Sequence, residues 1–139
     1  MNETFLTRAV EEATLEGYET VVRRDRKEQW GGGIILFVST EYAARITLLL
    51  TSESAERAWA VLHAEQGPFL IGLWYRPPAP GNLDGIDSFE AEWQSLRSEA
   101  LGTIMLGDVN VHSTRWLKHS ARESPEGTAL FNATARMGF

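Results

Sequence analysis

Thr103-Ile104-Met105-Leu106-Gly107-Asp108-Val109-Asn110 places a short apolar run directly in front of a carboxylate and a carboxamide two residues apart. Thr103 to Leu106 is short, apolar and partly β-branched, which predicts a β-strand. Such a strand delivers the polar pair to the mouth of a sheet, where α/β proteins gather the groups that meet ligands. Gly107 gives the chain a tight exit, and strand alternation would point Asp108 and Asn110 the same way. Taken alone, the four residues Gly107 to Asn110 favour a plain turn, because short Asp and Asn side chains bond back to nearby backbone.

Moving upstream, Phe89, Trp93, Leu96 and Ala100 form one apolar stripe at helical spacing, with Asp87 as the expected N-cap and Glu90 completing a capping box. Before Pro77-Pro78-Ala79-Pro80-Gly81, three strand candidates follow one another: Arg45 to Leu50, Arg57 to Ala64 and Phe69 to Tyr75. Thr51-Ser52-Glu53-Ser54 and Gly67-Pro68 separate them, which predicts an antiparallel meander. His63 reads as a packed or edge histidine, since no second imidazole stands at metal-binding spacing. Earlier still, Tyr18 to Arg24 and Gly33 to Val38 predict a hairpin, and Leu6, Val10 and Ala13 predict a helix from Leu6 to Leu15. Gly31-Gly32-Gly33 lacks the spacing and the following helix of a phosphate cradle. Downstream, a polar loop from His112 to Ser124 leads to a helix opened by Pro125 and Glu126. Leu130, Ala133 and Met137 face inward and Gly138 closes it. The order of elements predicts sheets with helices on their outer side.

A chain of 139 residues, 43% hydrophobic and with five tryptophans, is of single-domain size and has the apolar material for a core. With no cysteine, a disulfide framework, a thiol nucleophile and any thiolate metal site are excluded, so a metal must be held by oxygen or imidazole. No apolar run reaches membrane-spanning length and the first residues lack the order of a signal peptide, so the chain is expected to be intracellular, neither secreted nor membrane-bound. The net charge of −6 argues against binding nucleic acid through a broad positive surface. It leaves room for an enzyme that uses a cation and a few local arginines. The basic clusters are Arg23, Arg24, Arg26 and Lys27, then Arg115, Lys118 and Arg122, and each reads as a solvated loop.

Three stretches together resemble the endonuclease/exonuclease/phosphatase superfamily of DNase-like phosphoesterases, and within it the endonuclease domains of non-LTR retrotransposons. Asn2-Glu3-Thr4 is similar to the family's strand-end signature around a metal-binding glutamate. Trp74-Tyr75-Arg76-Pro77-Pro78 is similar to its strand that ends in tyrosine and proline. Gly107-Asp108-Val109-Asn110-Val111-His112 is similar to its GD-x-N motif. The stretches stand in the family's order and cover nearly the whole chain. The resemblance implies an α+β fold, a partial four-layer α/β/β/α sandwich of mostly antiparallel sheets with outer helices, over a single domain 1–139.

The same resemblance implies a magnesium-dependent hydrolase that cleaves DNA phosphodiesters, with manganese as a substitute metal and no small-molecule cofactor. Glu3 would hold the metal. Asp108 would orient or deprotonate the attacking water, Asn110 would hold it and a phosphate oxygen, and Tyr75 would hydrogen-bond the phosphate. Arg76, His112, Arg115 and Trp116 would face the nucleic acid. The family's first strand, which carries an asparagine, and its last strands, which carry an aspartate-histidine pair, have no counterpart here. The chain is therefore expected to be an incomplete domain with weak or no activity, its open sheet edges inviting self-association. Two other readings stand beside this one: a phosphatase of the same superfamily acting on a phospholipid or inositol phosphate, and a non-catalytic remnant.

Overall fold

A computed structural model of the chain describes Thr4, residues 12–26 and residues 32–139. Two antiparallel strands, β1 (Tyr18–Arg24) and β2 (Ile34–Ser39), form one sheet. A single helical turn, α1 (Thr40–Ala43), leads to β3 (Ile46–Thr51), β4 (Glu56–Ala64) and β5 (Gly67–Tyr75). These three make the expected meander, and β6 (Gly102–Asp108) joins it in parallel to β5, giving the order β3-β4-β5-β6. Between β5 and β6 lies α2 (Asp84–Leu96) with a short 3-10 turn, and α3 (Pro125–Met137) follows the last strand. The α+β class holds: the described residues form two sheets, mostly antiparallel, and three helices.

The chain divides into two compact units. Met1–Tyr75 with Glu99–Asp108 forms the first, and Arg76–Ser98 with Val109–Phe139 the second. In the first unit, Val22 of β1 and Ile34 of β2 pack against Ala58 of β4 and Ile71, Leu73 and Tyr75 of β5. Ile34 and Ala58 lose all contact with solvent, and full burial of one such aliphatic chain as Ile34 contributes about 1.5–3 kcal/mol. Leu70 to Tyr75 are all buried, so β5 is covered on both faces and its sequence reads as a continuous apolar run rather than an alternation. On the second face Trp59, Gly72 and Met105 stand side by side across three strands. A side chain at Gly72 would collide with the Met105 sulfur and the Trp59 ring, so the glycine makes room for its two large neighbours.

Several expected boundaries move. Residues 12–15 carry no helix, and the rest of the stretch expected as Leu6 to Leu15 falls outside the described residues, as does Lys27. Helix α2 starts at Asp84, three residues before the expected N-cap Asp87; Leu83 holds the N-cap position without a side-chain cap bond, and Asn82 Oδ1 accepts from the Asp84 N–H at 2.9 Å. Glu90 turns away from any capping box and takes Arg136 of α3 at 2.5 Å. The buried stripe is Ile86, Phe89 and Trp93. For α3 the expectations hold: it opens at Pro125, Leu130, Ala133 and Met137 are buried, and Gly138 ends the helix at φ 83°; the structure adds Ser124 as its cap, accepting from the Gly127 N–H.

Candidate functional site

The parallel pairing of β5 with β6 sets Tyr75 beside Asp108, and the antiparallel pairing of β4 with β5 sets Glu56 on the other side of Tyr75. Glu56, Tyr75 and Asp108 therefore form one cross-strand row at the carboxyl end of β5 and β6. Side chains in such a row share a face of the sheet. Asp108 is exposed at the strand's last residue, whereas Tyr75 is 4% exposed with its ring in the core. One position back, Gly107 lies against Trp74 at φ 139°, and a Cβ there would fall on the Trp74 carbonyl oxygen. Gly107 is still within the strand, so close approach between neighbouring strands, rather than a tight exit, is what demands glycine.

The hairpin of β1 and β2 brings its arginines to the same unit. Arg26 donates from Nε to Glu56 Oε1 at 2.6 Å and forms an ion pair with it at 2.5 Å. The Gly33 N–H donates to the other Glu56 oxygen at 2.5 Å. The Arg26 guanidinium lies 5.6 Å from the centre of the Tyr75 ring, within cation–π range. Arg23 pairs with Asp25 at 2.6 Å, and Arg24 donates to the carbonyls of Ser52 and Ala55. The three arginines, expected as a solvated loop, are each bonded within the unit. Glu56 and Arg26 were not singled out as site residues because only strand register joins them. The usable signal was a glutamate directly before an apolar strand, and it is weak.

Glu3 lies outside the described residues. Its neighbour Thr4 donates from Oγ1 to the Gly32 carbonyl at 3.5 Å, beside the segment that bonds Glu56. Among the described residues no group of three or more acidic, histidine or cysteine side chains gathers as a metal cage. Magnesium needs no such cage, since one or two carboxylates, water and substrate phosphate suffice.

In the second unit the polar groups serve the loop itself. Arg76 is 6% exposed and donates to the carbonyls of Asn82 at 2.7 Å, Ala79 at 3.2 Å, and Val109 and Asn110 at 3.5 Å. Burial lowers its pKa, opposed by the charge of Glu126. Asn110 answers by donating from Nδ2 to the Arg76 carbonyl at 2.9 Å. The strand ends at Asp108 and Asn110 adopts φ 46°, so strand alternation does not extend to Asn110.

Farther along, Glu123 accepts from the Thr114 N–H at 2.8 Å and from the hydroxyls of Ser113, Thr114 and Thr128 at 2.9–3.2 Å. Desolvation pushes its pKa up, and these bonds together more than reverse that, leaving it below the usual carboxylate range. His112 and Arg115 are exposed on this loop. Trp116 is 38% exposed and donates from its indole to the Gly127 carbonyl at 3.4 Å. His63 is an exposed strand residue 3.3 Å from the Thr47 hydroxyl. No helix among the described residues is long and apolar enough to cross a membrane. No protein-family model, curated protein or solved structure matches the chain.

Proposed function

We propose that the chain is a metal-dependent phosphodiesterase acting on DNA, of the endonuclease/exonuclease/phosphatase type that its motifs resemble. The observation that carries this reading is the register pairing of Tyr75 with Asp108 at the ends of adjacent parallel strands, which brings two of the three resembling motifs to one place. Asp108 is exposed there and takes the proton of the attacking water as the water oxygen bonds phosphorus and the phosphate–O3′ bond breaks. Tyr75 donates to a phosphate oxygen from a ring that core packing holds still. Asn110 belongs to the second unit and donates from Nδ2 to the Arg76 carbonyl, so in this reading it fastens the loop. Glu3 would hold a magnesium ion, which would supply neutralisation of charge on the phosphoryl group.

His112, Arg115 and Trp116 are the groups of the second unit that contact nucleic acid in this reading, and all three are exposed. Arg76 belongs to the loop rather than to the phosphate, since its donors are engaged by four carbonyls.

The test is conversion of supercoiled plasmid to the nicked form. Slow nicking that needs magnesium or manganese, and that disappears in Asp108→Ala, is the expected result. Wild-type protein that leaves plasmid intact at every metal concentration overturns the reading. Titration of magnesium against tryptophan fluorescence, with Glu3→Ala as control, reads the metal site separately from turnover.

A further inference from the structure

We propose that Arg26 is a phosphate-binding residue of the candidate site and that Glu56 is the residue that positions it; this rests on reading the substrate as a nucleic-acid phosphodiester. Three independent features of the first unit converge on Arg26. Its guanidinium is locked from one side, because Glu56 accepts from Nε and pairs with Nη2. It is held over the ring of Tyr75, the middle residue of the row that ends in Asp108. The backbone is shaped around the pair. A Cβ at Gly32 would come within 2.7 Å of both the Arg26 guanidinium carbon and a Glu56 oxygen, and Gly32 sits at φ 83°, where side chains are disfavoured.

Glu56 itself is fixed in turn. One oxygen takes the arginine and the other takes the Gly33 N–H, so the carboxylate has little freedom to turn. Among the described residues Glu56 is the only hydrogen-bond acceptor on the Arg26 guanidinium. Arginine carries five donors in a planar fork, so a carboxylate on the Nε edge leaves the opposite edge for a second oxyanion. The Arg26 side chain is 19% exposed, so part of it is open to a ligand. A chain of net charge −6 cannot rely on a diffuse positive surface to approach a polyanion, and one oriented arginine beside the reacting group supplies that attraction locally.

A purely structural ion pair makes a different prediction. Removing Arg26 would then lower stability and leave the ionic-strength dependence of nucleic-acid binding untouched. The experiment therefore follows binding of a short fluorescent DNA duplex by anisotropy, over a series of potassium chloride concentrations in EDTA, with melts recorded for every variant. Arg26→Ala is expected to weaken binding about tenfold at low salt and to flatten the salt dependence by about one phosphate contact. Arg26→Lys keeps the salt slope but loses affinity several-fold, because an ammonium does not reproduce the fork. Glu56→Gln weakens binding by less than Arg26→Ala does, and adds nothing in the Arg26→Ala background.

Wild-type affinity and slope in Arg26→Ala overturn the proposal, as does a wild-type chain that does not bind the duplex. Should Arg26→Ala fail to fold, wild-type affinity in Arg26→Lys overturns it. The two readings fail separately. Nicking that needs Asp108 while Arg26→Ala binds normally removes this proposal alone. An Arg26-dependent salt slope in a protein that never nicks plasmid removes the hydrolytic reading and leaves Arg26 as a phosphate contact.

Discussion

The row Glu56–Tyr75–Asp108 of the first unit and the segments 76–82 and 109–124 of the second use their polar residues in opposite ways. In the row, side chains from separate strands meet one another: an arginine lies on a glutamate and over a tyrosine, and an aspartate is exposed at the strand's end. In the second unit, side chains fasten neighbouring stretches of that unit's own chain. Arg76 holds four carbonyls, Asn110 holds the carbonyl of Arg76, and Glu123 gathers three hydroxyls and an N–H. A polar residue near a motif can thus present a group to solvent or fasten the chain that carries the motif. The partner atoms, not the distance along the sequence, decide which.

The comparison breaks most visibly at Asp108. Asp108→Ala should lower kcat/KM for plasmid nicking by about 10²–10⁴-fold, the usual worth of a general base, while leaving the thermal midpoint close to wild type. A large loss of stability with unchanged nicking would move Asp108 to the fastening class. Next comes Gly107→Ala. Its methyl would be driven into the Trp74 carbonyl from a backbone conformation that suits glycine, so urea denaturation should show a loss of about 3 kcal/mol or more.

Arg76→Ala sharpens the contrast with Arg26. Stripping a buried arginine from its carbonyls should cost about 2–3 kcal/mol in stability, with the salt slope of DNA binding unchanged. A flattened slope would instead make Arg76 a phosphate contact.

The smallest effect is on acid stability. Glu126 is held below the usual value of 4.5 by its own N–H, then by the Gly81 N–H, with burial opposing and the Ser124 hydroxyl and Arg76 charge assisting. A depressed folded value means that its stabilisation is complete above 4.5 and is lost as pH falls through the lower folded value. Melts of Glu126→Gln should therefore fall less steeply than wild type below that pH, and equal slopes would show that the bonds are not felt.

Much of the fold was readable because its signals are local. The ends of α3 were marked by Pro125, Glu126 and Gly138, and the meander by turns between apolar runs, so both come out as expected. Helix α2 starts early, at the end of a loop in which Asn82 accepts from the Asp84 N–H, so its start is set by that loop rather than by Asp87. The candidate site was readable only in its parts. Asp108 and Tyr75 stood out as motif residues, but their pairing is a matter of strand register. Arg26 looked like one of several solvated arginines, and nothing at position 56 revealed that a glutamate would lie opposite Tyr75 and catch it. Long-range register is the one property that a pattern of apolar residues cannot encode.

Phe69 pairs with Gly102 and Tyr75 with Asp108, so no turn can zip β6 onto β5; the whole of α2 lies between them. The β3–β5 meander closes through short turns, whereas the β5–β6 ladder must first pay for closing a long stretch of chain. The Tyr75–Asp108 pairing is therefore expected to arrive late in folding. A chain still emerging from the ribosome holds the tyrosine in place and has no aspartate beside it until after α2 has been made. The Tyr75–Asp108 pair therefore exists only once β6 has been made and has closed onto β5.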